Sequence, residues 1–103
     1  MAYILRFVQH YQPSNQRAFM DLEAKFKDLE RQCPNFPQGK RYTPVASGEP
    51  THTLIWECEF PSLNDVQRAL AQVAADQTHT DLFREQSPYI TGMRTEIYQV
   101  LDL

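Results

Sequence analysis

The sequence predicts an α+β fold, in which a four-stranded antiparallel sheet carries its helices on one face. Four segments alternate between apolar and polar residues as strands do, namely 2–11, 40–46, 52–60 and 93–101. Two further segments repeat their apolar residues every three or four positions and open with helix-start signals. The order is therefore strand, helix, strand, strand, helix, strand, with a short extra helix before the last strand.

The first strand, 2–11, is followed by the longest predicted helix. Pro13 and Ser14 open this helix, with Ser14 as the expected N-cap. Its buried stripe consists of Phe19, Leu22, Phe26 and Leu29. The helix ends at Cys33-Pro34, because the residue before a proline is disfavoured in helical geometry.

Segments 40–46 and 52–60 are predicted to form a hairpin across the turn SGEPT. Pro44 makes 40–46 an edge strand, because proline cannot donate a hydrogen bond to a sheet. In 52–60, the side of Leu54, Trp56 and Cys58 is expected to face the helices. The other side of this strand carries both apolar and acidic residues.

The second helix and the short extra helix share one start signal. Ser62 precedes Asp65 by three residues, and Thr78 precedes Asp81 in the same way, as in a capping box. Gly92 marks the turn into the last strand. A βαββαβ order is that of the ferredoxin-like plan, in which the strands have the spatial order 4-1-3-2.

Length and composition limit the class of protein. A chain of 103 residues suits one compact domain, spanning residues 1–103. A net charge of −3 without a basic block argues against nucleic acid or an anionic membrane surface as a partner. No apolar run approaches the roughly 20 residues that span a bilayer, and the N-terminus has no signal-peptide pattern, so we expect a cytoplasmic protein.

Cys33 and Cys58 lack zinc-ligand spacing and are expected to be reduced thiols, and neither a metal nor a cofactor is predicted.

The side of the sheet predicted to face away from the helices combines charged and apolar residues. Its charged members are Arg6, Arg41, Glu57, Glu59, Arg94 and Glu96. Arg6 would lie between Glu57 and Glu96 on the neighbouring strands, so opposite charges can pair across strands. A solvated face is one interpretation, but apolar residues such as Val8 and Val45 would then leave a large exposed patch. We therefore expect a homodimer that pairs through this face about a twofold axis.

The order of elements and a small set of residues are similar to a known superfamily. The residues are Tyr3, Leu5, Arg6, Gly48, Trp56 and the closing Glu96-Ile97-Tyr98. With them the chain resembles the dimeric α/β-barrel superfamily, and within it the NIPSNAP-like branch. The resemblance covers nearly the whole chain and implies a ferredoxin-like subunit that pairs into a barrel. The superfamily includes cofactor-free monooxygenases, isomerases, haem-degrading enzymes and members with no known reaction, so the fold alone does not select an activity.

A ligand cavity is expected between the sheet and the helices, where aromatic walls meet a few polar groups. The candidate ligand-binding residues are Tyr3, Tyr42, Trp56 and Arg84. Each has a structural alternative. The aromatic side chains could simply fill the core, and Arg84 could pair with Asp81 or Glu85 rather than clamp a ligand carboxylate.

Two histidines are candidate catalytic bases, because imidazole titrates near neutral pH. His52 begins the third strand on the helix side, and His79 lies at the start of the short helix. The alternative places His52 beside the hairpin turn and leaves His79 solvated. Haem-degrading members of the superfamily use a helix histidine as axial ligand. His79 is the only residue near such a position, and the surrounding pattern does not support a haem assignment.

Two functions stay open at this point. Binding of a small apolar or aromatic molecule is favoured, because no convergent acid–base set is visible. The alternative is a cofactor-independent monooxygenase or isomerase acting on an aromatic or polyketide-like substrate, which the protein would position and deprotonate. A cavity smaller than about 100 Å³, or one that is wholly apolar, would disfavour the enzyme.

Overall fold

The structure, a computed structural model, describes residues 1–103. Its elements in chain order are β1 (Tyr3–Tyr11), α1 (Gln16–Gln32), β2 (Lys40–Tyr42), β3 (Thr53–Phe60), α2 (Leu63–Ala75), α3 (Gln77–Gln86) and β4 (Ile90–Gln99). Short 3-10 helices, Pro13–Asn15 and Ser87–Tyr89, precede α1 and β4. The four strands form one antiparallel sheet in the order β2-β3-β1-β4. The predicted α+β, ferredoxin-like arrangement is confirmed. None of the helices has the length and apolar character needed to cross a membrane.

The central strand β1 fixes which residues share a face. Arg6 lies opposite Glu57 on β3 and Glu96 on β4, as predicted. Its neighbour Leu5 points to the helices and is almost fully buried. We call the helix-free side, which carries Arg6, the open face.

The core lies between the sheet and the helices. Its buried clusters contain Leu5, Trp56 and Val66, and Tyr11, Phe19 and Leu54. All four residues of the predicted α1 stripe are buried, namely Phe19, Leu22, Phe26 and Leu29. Burial of such a side chain stabilises the fold by about 1.5–3 kcal/mol. The amphipathic pattern therefore predicted the packing of α1 correctly.

Strand β2 differs from its prediction in length and in facing. It ends at Tyr42 rather than at residue 46, and Val45 beyond it is fully exposed. Arg41 lies opposite Trp56 and faces the helices, whereas Tyr42 lies opposite Ile55 on the open face. The prediction that Arg41 belongs to the open face is therefore wrong. Since side chains alternate with a period of two, a one-residue error in register exchanges the faces of a whole strand.

The helix starts agree with the sequence at α2 and differ at α3. The Ser62 side chain accepts a hydrogen bond from the Asp65 N–H (3.1 Å), which confirms the predicted cap of α2. Helix α3 is capped by Asp76, whose carboxylate accepts from the His79 N–H (2.8 Å), rather than by Thr78. An acidic side chain at this position also opposes the positive end of the helix dipole.

Two other predicted boundaries shift by a few residues. Ser14 lies inside the 3-10 turn before α1 and makes no cap, because that turn takes up the chain from Pro13. Gly92 lies within β4, opposite His10, rather than in a turn before the strand. The strand begins at Ile90 because the second 3-10 turn ends there.

The long connection between β2 and β3 crosses one end of the open face. Glu49 from this loop is hydrogen-bonded to His10 (2.7 Å) and to Arg94. Val8, which lies opposite Arg94, is only 1% exposed. The expectation that Val8 belongs to an exposed patch is therefore wrong, and this end of the open face is covered by the chain itself.

Candidate functional site

A cavity of about 230 Å³ lies between the sheet and the three helices. Its walls are mainly aromatic, and every sheet strand and every helix contributes to them. The aromatic lining residues are Phe7, Phe26, Phe36, Trp56 and Phe83. The polar or ionisable lining residues are Gln9, Glu23, Glu30, Arg41, His79 and Gln86. The cavity is therefore neither very small nor wholly apolar.

The Glu30 carboxylate accepts four hydrogen bonds in the wall of the cavity. Its carboxylate accepts hydrogen bonds from Arg41 Nη2 (2.6 Å), Arg41 Nη1 (3.2 Å) and Trp56 Nε1 (3.2 Å). The Gly39 N–H adds a fourth, at 2.9 Å. Glu30 is only 4% exposed, so these donors replace the water that it lost on folding. The carboxylate also fixes the orientation of the Trp56 indole ring.

Glu23 lies two helical turns before Glu30 on α1 and is the second carboxylate in the cavity wall. Its carboxylate accepts from Arg41 Nε (2.6 Å) and from Gln86 Nε2 (3.0 Å). Burial lowers the pKa of Arg41, but the hydrogen bonds that it donates to Glu30 and Glu23, together with the charges of these carboxylates, outweigh this effect, and the net pKa lies above its ordinary value. Arg41 is therefore a permanent cation held between two carboxylates. We call Glu23, Glu30, Arg41 and Gln86 the buried polar cluster.

His79 lines the same cavity from the first turn of α3. Its ring packs against Phe26, with ring centroids 4.9 Å apart, and against Phe36, at 6.2 Å. Burial lowers the pKa of His79, against the opposing effect of the Asp76, Glu23 and Glu30 carboxylates. Its imidazole is therefore uncharged at neutral pH and can accept a proton. No group of three or more His, Cys, Asp or Glu side chains is arranged to hold a metal ion.

Two of the six residues predicted from the sequence line the cavity. Trp56 and His79 do so, and Trp56 is at the same time part of the core. His52 instead packs edge-to-face on Tyr11, with centroids 5.7 Å apart, away from the cavity.

Three predicted ligand-binding residues do not reach the cavity. Tyr3 packs, half-buried, against the cluster around Leu5. Tyr42 lies on the open face, because the two faces of β2 are exchanged relative to the prediction. Arg84 is exposed and pairs with Asp81 (3.2 Å), which was the structural alternative.

The buried polar cluster was not predicted, although one signal for it is present in the sequence. Glu23 and Glu30 are seven residues apart and follow the apolar stripe of α1 by one position, at Leu22 and Leu29. Residues seven apart lie two turns apart on one helix face. Two acidic residues on the edge of a buried stripe indicate a buried cationic partner, because buried carboxylates require pairing. The identity of that partner depends on the register of β2.

The open face carries a separate, more exposed ionic network. Arg6 binds Glu57 (2.7 Å) and approaches Glu96 (3.8 Å), and its guanidinium lies 4.8 Å from the centre of the Tyr98 ring. Arg94 bonds to Glu96 (2.9 Å). The predicted pairing of Arg6 with both flanking glutamates is therefore confirmed, and it forms within a single chain.

Comparison with known proteins supports the fold and does not identify an activity. Neither a protein-family model nor a curated protein sequence matches the chain. Among solved structures, a NIPSNAP family protein from Agrobacterium tumefaciens C58 is 14% identical, with a TM-score of 0.79 over 99% of this chain and 95% of that chain. A NIPSNAP-like domain protein from Burkholderia xenovorans is 15% identical, with a TM-score of 0.77 over 97% of this chain and 85% of its own. An antibiotic biosynthesis monooxygenase is 13% identical, with a TM-score of 0.73 over 99% and 100% of the two chains.

At this level of identity the similarity defines the fold alone. The protein has the ferredoxin-like α+β fold of these structures. The ferredoxin-like fold that the NIPSNAP-like resemblance implied is confirmed. What the chain binds or converts has to be argued from its own cavity.

Proposed function

We propose that this protein binds a small apolar or aromatic molecule in the cavity between its sheet and its helices. The observation that carries the proposal is the cavity itself, about 230 Å³ with five aromatic side chains in its wall. A cavity of about 150 Å³ already holds benzene. A single ring with a short side chain therefore matches the available volume.

A ligand that binds only the native state raises the melting temperature, so a thermal-shift screen tests the proposal. The probes are single-ring aromatic acids, alcohols and amines, with haem as a separate probe. A compound present at ten times its Kd is expected to raise the melting temperature by about 6–7 °C.

A blocking variant places the effect in the cavity. Val73 lines the cavity from α2, so Val73→Phe fills part of its volume and is expected to abolish the shift. Val45→Phe is the matched control, because Val45 is fully exposed on a loop. A shift that survives in Val73→Phe would mean that the ligand binds elsewhere.

One observation favours the second candidate, a cofactor-independent monooxygenase or isomerase for an aromatic or polyketide-like substrate. His79 provides an uncharged imidazole in the cavity wall, and such a group can remove a proton from a bound ligand. The monooxygenase among the structural neighbours is consistent with this reaction class. Incubation of a thermal-shift hit under oxygen, followed by mass spectrometry, tests for turnover. Enzyme activity requires product whose formation falls at least about tenfold in His79→Gln while binding persists.

We also propose that the open face pairs with a second copy of the chain. Three apolar or aromatic residues of this face are exposed by 38–45%, namely Tyr42, Tyr98 and Val100. The charged residues of the proposed contact are Arg6, Glu57, Glu59, Arg94 and Glu96, with Lys40 in the place predicted for Arg41. Because Arg6 and Arg94 already have partners within their own chain, burial of this face leaves few unpaired charges.

A cytoplasmic location is part of the same proposal. Cys33 and Cys58 are both free thiols, as is usual in a reducing compartment. Cell fractionation with an antibody to the protein tests it, and recovery from an oxidising compartment would contradict it.

A further inference from the structure

The buried polar cluster carries an excess of negative charge. Glu23 and Glu30 are 7% and 4% exposed, and both bind the single guanidinium of Arg41. His79, the other basic side chain of the cavity, is uncharged at neutral pH because burial lowers its pKa. Among the residues that line the cavity, two carboxylates therefore share one cation. An uncompensated buried charge is costly, so a positively charged ligand group would be favoured here.

Gln86 provides a second, independent feature of the same wall. Its side-chain Nε2 donates to Glu23 Oε1 (3.0 Å) and to the Phe19 carbonyl (3.4 Å). Both partners are acceptors, so the orientation of the amide is fixed by its surroundings. Its Oε1 is left as a buried acceptor without any hydrogen-bond partner, in a residue that is 1% exposed. Gln86 lines the cavity, and a ligand N–H group that reaches this oxygen would satisfy it.

The strong donors of the cavity are already committed. Arg41 donates through Nε, Nη1 and Nη2 to the two carboxylates, and the indole N–H of Trp56 donates to Glu30. A ligand carboxylate would therefore have to displace an internal partner before it could bind Arg41. The polar part of the cavity is in this way suited to a donor and unfavourable for an anion.

The aromatic side chains of the cavity wall are also compatible with a positively charged ligand group. Cations are attracted to the faces of aromatic rings, and Trp is the strongest such partner. Trp56, Phe7 and Phe36 all line the cavity, together with Phe26 and Phe83. The volume of the cavity is sufficient for one aromatic ring with a short side chain.

From these features we propose that the cavity selects a protonated primary or secondary amine attached to a small aromatic body. The ammonium group binds between Glu23 and the free Oε1 of Gln86, and the ring lies against the aromatic wall. This inference rests on the proposed ligand-binding function and adds the charge class of the ligand.

Three probes of similar size test the charge preference: 2-phenylethylamine, 2-phenylethanol and phenylacetate. Trp56 is the only tryptophan of the chain and lines the cavity, so its fluorescence reports binding of each probe. The amine is expected to bind about tenfold or more tightly than the alcohol, because charge-assisted hydrogen bonds are about twice as strong as neutral ones. Phenylacetate is expected to bind most weakly.

A charge variant identifies the group responsible. Glu23→Gln removes the excess charge and leaves the Arg41–Glu30 pair, so the amine should lose its advantage while 2-phenylethanol still binds. Glu85→Gln makes the same change in net charge at an exposed position of α3 and should keep the wild-type order.

The outcomes separate the two proposals. Equal binding of the three probes to the wild-type protein, or tightest binding of phenylacetate, overturns the amine preference and leaves the ligand-binding function standing. Binding of none of them contradicts both. An amine preference that persists in Glu23→Gln overturns the role assigned to Glu23, and the wild-type series remains decisive if that variant does not fold.

Discussion

Gly39 lies directly against the Trp56 indole. A Cβ atom at this position would lie 1.8 Å from Nε1 of the Trp56 indole, far inside van der Waals contact. The Gly39 N–H also donates to Glu30, which holds the same indole. Glycine is therefore required here for lack of space.

Gly39→Ala is expected to lower the free energy of unfolding by about 1–3 kcal/mol, because the buried indole has to move. Gly48→Ala is the matched control, since a Cβ there meets nothing within 4 Å. Urea unfolding of both variants measures the difference. Equal stability of the two would show that the Trp56 ring is not held as described.

Glu49 makes stability depend on acid pH. Hydrogen bonds from Arg94 and then His10 lower its pKa from 4.5 to about 2. A carboxyl group whose pKa is lower in the folded state contributes stability that is fully present above its unfolded pKa. That contribution is lost as pH falls from about 4.5 towards 2.

The expected result is that wild type and Glu49→Gln differ in melting temperature at pH 7, with wild type the more stable. The difference should shrink as the pH is lowered through this window, because protonation removes the charge that the variant lacks. Thermal melts from pH 7 to pH 2.5 measure it. A difference that stays constant down to pH 2.5 would contradict the assigned pairing.

At the residue scale, the sequence identified the apolar residues better than the polar ones. Trp56 and Phe26 follow from periodicity, because burial of apolar side chains is imposed by the hydrophobic effect. Periodicity does not predict which residue pairs with Glu23 and Glu30. Whether they meet Arg41 or Lys40 depends on a single-residue register, and alternation alone does not determine this in a strand of three residues.

At the scale of elements, Arg41 joins β2 to α1. The strand has only three residues and pairs only with β3, so its backbone contributes little to holding it in place. The bidentate contact of Arg41 with Glu30, and its hydrogen bond to Glu23, connect β2 to α1.

Arg41→Met is expected to cost about 3–5 kcal/mol of unfolding free energy, because two buried carboxylates lose their cation. Arg17→Met, at an exposed position of α1 outside the open face, should change stability by less than about 0.5 kcal/mol. Chemical unfolding of both variants provides the comparison. A loss in Arg41→Met no larger than in Arg17→Met would show that the cluster is not structural.

The helix boundaries show which caps can be predicted from neighbouring residues of the sequence alone. Ser62 caps α2 as its pattern predicts, because the capping interaction is local. At α3, Asp76 and Thr78 are both acceptable caps, and the position of the preceding helix end decides between them. β2 likewise stops at Tyr42, two residues before Pro44, because proline cannot continue the ladder.

For the whole molecule, the sheet order was predictable and the cavity only in general terms. The βαββαβ order leaves few topologies open, and the observed order is the expected one. The cavity depends on how side chains from all strands and helices pack together. No single segment of the sequence contains that information.

The proposed pairing through the open face is tested by size-exclusion chromatography with light scattering. We expect a species of twice the 12.1 kDa chain mass at micromolar concentration. Tyr42→Asp places a charge on this face and should yield monomers. Leu63→Asp, a residue of similar exposure at the start of α2, should not. A wild-type protein that elutes as a monomer would refute the pairing.

The most direct test of ligand binding in the cavity uses the indole N–H of Trp56, which lies in the cavity wall and is bonded to Glu30. 2-Phenylethylamine and 2-phenylethanol are titrated separately into ¹⁵N-labelled protein, and the indole signal is followed by NMR. Binding in the cavity predicts a saturable shift of this signal and of the Gly39 and His79 amides, with the Val45 and Tyr98 amides unmoved. An indole signal that stays in place up to the solubility limit of both compounds would contradict it.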